Sequence, residues 1–144
     1  DESIPILNDL LTKMKSKNLF SSGSSFFNLS PIKKKSLAEV TNCIITKENQ
    51  LISLMDTELN PEEDFIISGF STCTKSENIN TFHYSKYSGI YMTNSSFGLQ
   101  LAVEILNSLE ANKLDGYNLP SKLKRVIIIN HSSKNDVGVI IVRK

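Results

Sequence analysis

The chain has 144 residues, of which 40% are hydrophobic and 22% are charged, and its formal net charge is +1. That length allows one domain with a sizeable core, and the absence of any apolar run near about 18 residues excludes a membrane-spanning helix. The N-terminus lacks the apolar core of a signal peptide, so we expect an intracellular protein, nuclear or cytoplasmic, without a membrane partner. Because the chain begins at Asp1 and not at Met, we interpret it as a piece of a longer protein.

The charges are distributed unevenly along the chain. Residues 1–36 carry six lysines against three acidic residues, whereas residues 37–144 carry ten Lys and Arg against twelve Asp and Glu. The mildly acidic second part argues against a phosphate-binding surface. We predict three segments: an N-terminal helix over residues 1–17, a flexible Ser- and Lys-rich linker over residues 18–36, and an α+β domain over residues 37–144.

The N-terminal helix is predicted from apolar residues that recur at helical spacing, with Pro5 in the first turn. A helix of this length is marginal alone, so it must dock on its own domain or on a partner. The segment from Leu7 to Leu11 has the LxxLL form that resembles groove-binding coactivator helices. The side chains predicted to bind a partner are Leu7, Leu10, Leu11 and Met14.

The linker is rich in Ser, Gly, Lys and Asn, a composition typical of segments without a packed core. It contains Ser30-Pro31-Ile32-Lys33, which resembles the consensus site of cyclin-dependent kinases and is followed by two more lysines. Phosphorylation of Ser30 would add about −1.5 to −2 charges beside these lysines and re-dock the linker. The alternative is an unmodified turn with solvated lysines.

Short β-branched and aromatic runs predict the strands in the first half of the domain. Residues 43–46 and 51–55 flank a short polar segment, a pattern that favours a hairpin. Residues 65–70 are predicted as a further strand. Residues 80–84 and 87–93 are predicted either as another hairpin or as one bulged strand.

Residues 95–113 are predicted to form one long helix. Its apolar residues cover an arc of roughly 240°, more than a helix on the surface of a two-layer protein needs. Asn94, Ser95 and Ser96 offer N-cap oxygens, and Gly116 offers the left-handed position that ends a helix. We therefore expect a partner to cover the excess apolar surface. The side chains predicted to bind it are Phe97, Leu101 and Ile105.

Two strongly apolar runs, residues 126–129 and 137–142, end the chain. They lack polar alternation, which is typical of strands covered on both faces, and the turn-forming residues between them predict a hairpin. The whole pattern predicts an α+β fold in which a mainly antiparallel sheet of about six strands packs on the long helix, beside the N-terminal helix. The alternative is an OB-like barrel, whose elements follow the same order.

No segment has the pattern of a catalytic, cofactor-binding or metal-binding site. Ser68 lacks the flanking glycines of a nucleophile elbow. Cys43, Cys73, His83 and His131 share none of the short paired spacings of zinc ligands. Both cysteines lie in apolar runs, which favours buried, reduced thiols. We therefore expect no catalytic residue, no cofactor and no metal.

The sequence favours a non-catalytic protein–protein interaction module, such as a small subunit, adaptor or assembly factor of a multiprotein complex in a eukaryotic cell, regulated by phosphorylation in the linker. Its expected partners are proteins, in a hetero-oligomer or a homo-oligomer. The alternative is a single-stranded nucleic-acid-binding domain on an OB-like barrel, whose strand aromatics would stack on bases. Those aromatics are Phe70, Phe82, Tyr84, Tyr87 and Tyr91. An enzyme of unrecognised class is the third hypothesis.

Overall fold

The computed structural model describes about half of the chain, all of it from residue 36 onward. Of the described residues, 49% lie in strands and 27% in helices. The predicted N-terminal helix and residues 18–35 of the predicted linker lie outside the described residues. The described ranges are 36–51, 53, 59–69, 81–85, 94–107, 113–114, 117–131 and 136–144.

The described ranges contain strands β1 to β7 and one helix of several turns, α1. Three strands precede α1 and four follow it. The elements are β1 Glu39–Lys47, β2 Asp64–Ser68, β3 Thr81–His83, α1 Asn94–Asn107, β4 Lys113–Leu114, β5 Tyr117–Asn118, β6 Arg125–His131 and β7 Asp136–Arg143.

The main sheet has five strands in the order β1-β7-β6-β2-β3 and is mixed. β2 runs parallel to both β3 and β6, whereas β7 runs antiparallel to β6 and to β1. The prediction of a mainly antiparallel sheet of about six strands on one long helix is therefore wrong. The alternative of an OB-like barrel is also wrong, because among the described strands β1 and β3 lie at opposite edges of an open sheet.

The parallel pairs explain the error in the predicted topology. A parallel pair needs a crossover connection of about a dozen or more residues. Residues 69–80 join β2 to β3, and the segment that contains α1 joins β3 to β6. The sequence prediction assumed short turns between antiparallel neighbours. In the structure, Ile66 instead pairs with Thr81 on one side and with Ile127 on the other.

A helix forms where one was predicted, but the prediction of a single long helix over residues 95–113 is wrong, because α1 is Asn94–Asn107. Lys113, which was predicted as the last residue of the helix, instead begins β4, and β4 pairs antiparallel with β5. The Leu114 side chain is buried beside α1. The ring of Tyr117 packs edge-to-face on that of Phe82, with 5.3 Å between the ring centroids. The small β4–β5 hairpin therefore packs Leu114 and Tyr117 against the core beside α1.

The predicted hairpin between residues 43–46 and 51–55 is wrong. β1 pairs with β7, at the other end of the chain, and the residues directly after β1 are helical. Gln50 explains this helical turn, because its Oε1 accepts hydrogen bonds from Lys47 N at 3.4 Å and from Thr46 Oγ1 at 3.1 Å. The bond from Lys47 N corresponds to one half of a capping box, in which a polar side chain reaches back to the start of its helix.

The predictions for β2 and for the last hairpin are confirmed. β2 lies within one residue of the predicted start of its strand, and all its residues are buried. β6 and β7 pair antiparallel, with Val126 opposite Val142 and Ile128 opposite Ile140. β6 lies between β7 and β2, and its apolar side chains are buried in apolar clusters on both faces of the sheet, as its continuous apolar run indicates.

Apolar clusters cover both faces of the sheet. Because side chains alternate along a strand, neighbouring residues of β6 contribute to different clusters. The α1-side cluster includes Phe65, Phe82, Tyr84, Leu101, Ile105, Val126, Ile128 and Val142. The opposite cluster includes Leu51, Ile66, Ile127, Ile129, Val137 and Val139.

Candidate functional site

The large apolar side chains that the described residues expose all lie in one stretch, at β1. Leu37, Val40 and Ile45 are 70%, 47% and 76% exposed. Within the described ranges, β1 is an edge of the main sheet and pairs with β7 alone. An edge strand presents backbone N–H and C=O groups on its outer side. We refer to residues 37–47, which combine these groups with exposed apolar side chains, as the β1 edge.

The pairing register explains why these side chains are exposed. Cys43 lies opposite Ile140, and Ile45 lies opposite Gly138. Residues directly opposite each other share a face of the sheet, and Ile140 packs on the α1-side cluster, so Cys43 and Ile45 are on the α1 side. Gly138 has no side chain that could cover Ile45, and α1 packs mainly on β6, two strands away.

Cys43 contradicts the expectation that both cysteines are buried. Its side chain is a free, exposed thiol on the β1 edge. Cys73 lies outside the described residues. The run that contains Cys43 does form a strand. A strand at the edge of a sheet, however, has fewer neighbours to cover its side chains than a central strand has.

The charges of β1 are confined to its two ends. Glu39 Oε2 accepts a hydrogen bond from Arg143 Nε at 2.9 Å, and Lys47 forms an ion pair with Asp136. Residues 40–46, between these two ion pairs, include no charged residue. Between its two ends, β1 is therefore uncharged. At each end, a charged residue of β1 forms an ion pair with a residue of β7.

A β-bulge interrupts the β1–β7 ladder between Val40 and Asn42. Thr41, which lies at the bulge, donates a hydrogen bond from Oγ1 to Ile141 O at 3.3 Å. The ladder is regular from Asn42 to Lys47. Because a bulge bends the strand that carries it, the straight part of the β1 edge is residues 42–47.

A polar cluster lies at the carboxyl ends of the parallel strands, where open α/β sheets commonly bind ligands. Tyr84, directly after β3, donates a hydrogen bond from its hydroxyl to Asn130 Oδ1 at 2.7 Å. Gly69, directly after β2, lies between them, because a Cβ atom on Gly69 would be 2.0 Å from Asn130 Oδ1. These polar groups bond to each other and Tyr84 is fully buried, so the cluster joins three strand ends and supports no ligand assignment.

The partner-binding residues predicted on α1 are covered by the chain's own sheet. Leu101 and Ile105 are 2% and 4% exposed in the α1-side cluster. Phe97 is half-buried, and its ring centroid is 5.8 Å from that of Tyr84. The other predicted site residues, which are Leu7, Leu10, Leu11, Met14 and the phosphorylation site Ser30, lie outside the described residues.

The aromatic residues considered for base stacking are not available for it where the structure describes them. Phe82 and Tyr84 are buried in the α1-side cluster. Phe70, Tyr87 and Tyr91 lie outside the described residues. Stacking needs an exposed ring face, so the two described aromatics form core and not a binding platform.

Sequence reasoning missed Leu37, Val40 and Ile45 as candidate binding residues. One signal was available, namely the adjacent pair Ile44-Ile45. Neighbouring residues of a strand point to opposite faces, so this pair makes both faces of β1 apolar. In an edge strand, one of those faces can remain uncovered, and here it is the face that carries Ile45.

Metal sites and membrane spans can be assessed in the part of the chain that the structure describes. Within it, no cluster of three or more His, Cys, Asp or Glu side chains has a geometry that could hold a metal ion. No helix within the same ranges is both long and apolar enough to cross a lipid bilayer. Comparison of the chain with protein-family models, with curated proteins and with solved structures finds no match.

Proposed function

We propose that this chain is a non-catalytic protein–protein interaction module, a small subunit or adaptor of a larger complex, and that it binds through the β1 edge. The observation that carries this proposal is that the exposed large apolar residues of the described ranges, Leu37, Val40 and Ile45, all lie in the edge strand β1 or just before it. Exposed apolar side chains that are concentrated on one element point to a protein-binding surface more than side chains scattered over the molecule do.

Strand addition is the binding mode that fits this edge. An added strand would form main-chain hydrogen bonds with the outer side of β1 and would cover the side chains on the α1 side. Residues 40–46 are rich in β-branched side chains, which favour an extended conformation. The partner would therefore supply an extended, uncharged segment whose apolar side chains contact Val40 and Ile45.

The burial of α1 in the core supports the assignment of the binding surface to β1. The isolated chain already covers Leu101 and Ile105, so a partner could reach them only by opening the core. Binding at the β1 edge requires no such opening, because Ile45 and Leu37 are exposed in the folded chain. Partners that bind without rearrangement of the backbone are the common case.

A strand-forming peptide tests this proposal. We would titrate the full chain with a labelled synthetic peptide of alternating Val and Thr, with a Lys at each end, and measure fluorescence anisotropy. We expect saturable binding that is weakened roughly tenfold or more by Ile45→Lys, because a charge then lies at the centre of the apolar edge. The matched control is Ser121→Lys, which adds the same charge at an exposed turn and should bind as the wild type does.

Hydrogen exchange locates the bound peptide on the chain. We expect slower exchange for backbone amides within residues 40–46 after the peptide is added, since an added strand protects outward-facing N–H groups. Binding that leaves exchange in this segment unchanged, or no saturable binding at all, would contradict the proposal.

A further inference from the structure

We infer that the strand which completes β1 is β1 of a second copy of this chain. The two copies would pair antiparallel along the β1 edge, so that two five-stranded sheets join into one continuous sheet. This inference rests on the proposed function, because it requires the β1 edge to be a binding surface. It adds the identity of the partner and the direction of pairing.

The composition of the edge supports pairing between identical strands. Residues 40–46 read Val-Thr-Asn-Cys-Ile-Ile-Thr, without charge, proline or glycine. Segments of high β-propensity and low charge associate readily with copies of themselves. Edge strands of monomeric proteins are commonly protected by charged side chains, especially Lys, or by Pro within the strand. The straight part of the β1 edge has such a residue only at its last position, Lys47.

The charges at the two ends of β1 determine the favoured direction. One end carries the ion pair of Glu39 with Arg143, and the other carries the ion pair of Lys47 with Asp136. In an antiparallel pair, Glu39 of one copy approaches Lys47 of the second copy, and the reverse holds at the other end. A parallel pair would place Lys47 beside Lys47 of the second copy, and like charges directly opposite each other are destabilising. A two-fold, antiparallel arrangement is therefore favoured.

This arrangement places the two copies of Cys43 near the symmetry axis. Cys43 lies midway between Glu39 and Lys47 in the sequence of β1. Antiparallel pairing that places Glu39 of one copy beside Lys47 of the other therefore has its two-fold axis at or next to Cys43. Directly opposite residues have Cβ atoms about 4.5–5.5 Å apart, and diagonal neighbours about 7–8 Å. Because Cys43 is exposed on the α1 side, a short bismaleimide reagent should link the two copies through it.

The test measures self-association of the full chain by sedimentation equilibrium over a range of concentrations. We expect a monomer–dimer equilibrium that Ile45→Lys weakens on the order of 100-fold, because every dimer would then bury two additional ammonium groups near its axis. Ile45 is mostly exposed, so the variant should keep the far-UV circular dichroism and melting temperature of the wild type at concentrations where both are monomeric. Ser121→Lys should dimerise normally. Bismaleimide should yield covalent dimers of the wild type and none of Cys43→Ser.

The outcomes separate this inference from the proposed function. A chain that stays monomeric at all concentrations, yet binds the Val/Thr peptide at β1, overturns the inference and leaves the proposed function standing. A monomer that binds no peptide, as when another segment of the same chain covers the edge, overturns both. A dimer that is insensitive to Ile45→Lys and is not linked through Cys43 forms at another surface and also overturns the inference.

Discussion

The hydroxyl of Tyr84 donates a 2.7 Å hydrogen bond to Asn130 Oδ1, and this bond joins the residue after β3 to β6 across the end of β2. The Tyr84 backbone adds a second link, because its N–H donates to Ser68 O at 3.0 Å. β3 is only three residues long and is an edge strand among those that the structure describes. These two hydrogen bonds therefore hold a short strand that its ladder alone would hold weakly.

Replacing Tyr84 by Phe should lower the free energy of unfolding by about 1 kcal/mol, because it removes one hydrogen bond and keeps the ring in the core. Urea denaturation of the wild type, Tyr84→Phe, Asn130→Ala and the double variant gives a double-mutant cycle. We expect a coupling energy of about 1 kcal/mol between the two positions. Additive effects would mean that the hydrogen bond contributes nothing to stability.

Gly69→Ala should destabilise the chain by about 1–3 kcal/mol, because its Cβ atom would overlap Asn130 Oδ1 and push it away from Tyr84. Gly138→Ala is the matched control. A Cβ atom on Gly138 meets its nearest neighbour, Asn130 O, at an ordinary 3.7 Å. Alanine also costs less conformational entropy than glycine, so this variant should be neutral or more stable by up to about 1 kcal/mol. Equal melting temperatures for the two variants would contradict the close approach at Gly69.

Asp64→Asn should lower the free energy of unfolding by roughly 2–4 kcal/mol, because it breaks a buried ion pair. The Asp64 side chain is 2% exposed and accepts hydrogen bonds from Arg125 Nε at 2.7 Å and Nη2 at 2.6 Å. Arg125 is 37% exposed, so water can solvate part of its charge once the Asp64 carboxylate is removed, and we expect less than the largest losses seen for fully buried pairs.

The control for Asp64 is Glu62→Gln. Glu62 contacts Lys122 Nζ at 3.4 Å, with both side chains mostly exposed. Exposed ion pairs contribute little, so the change should be within about 1 kcal/mol. Chemical denaturation of both variants in the same buffer measures the difference, and a similar loss for both would show that burial of Asp64 does not matter.

Leu101→Ala should destabilise the isolated chain by about 2–5 kcal/mol, because it leaves a cavity in the α1-side cluster. The neighbouring Gln100 is exposed, so Gln100→Ala should change stability by less than about 0.5 kcal/mol. Thermal and urea denaturation of the chain without any partner measure both. A Leu101→Ala variant as stable as the wild type would show that this side chain is not part of the core. Leu101 on α1 would then be available to bind a partner.

The local pattern of the chain was enough to predict several elements, but not which apolar side chains the folded chain leaves exposed. Continuous apolar runs predicted β2, β6 and β7, since strands covered on both faces need apolar residues at every position. Apolar residues at helical spacing predicted α1. Its excess apolar surface also suggested a partner, but the sheet of the same chain covers Leu101 and Ile105.

The sequence by itself therefore determined which segments are apolar and extended or helical, because these properties depend on neighbouring residues. Only the tertiary structure decided which strands pair and in which direction, because Ile66 meets Ile127 and Ile45 meets Gly138 through contacts between distant parts of the chain. The exposure of the β1 edge follows from those contacts. Ile45 is apolar like the core residues, and it is exposed because its neighbour across the ladder is a glycine and its strand lies at the edge of the sheet.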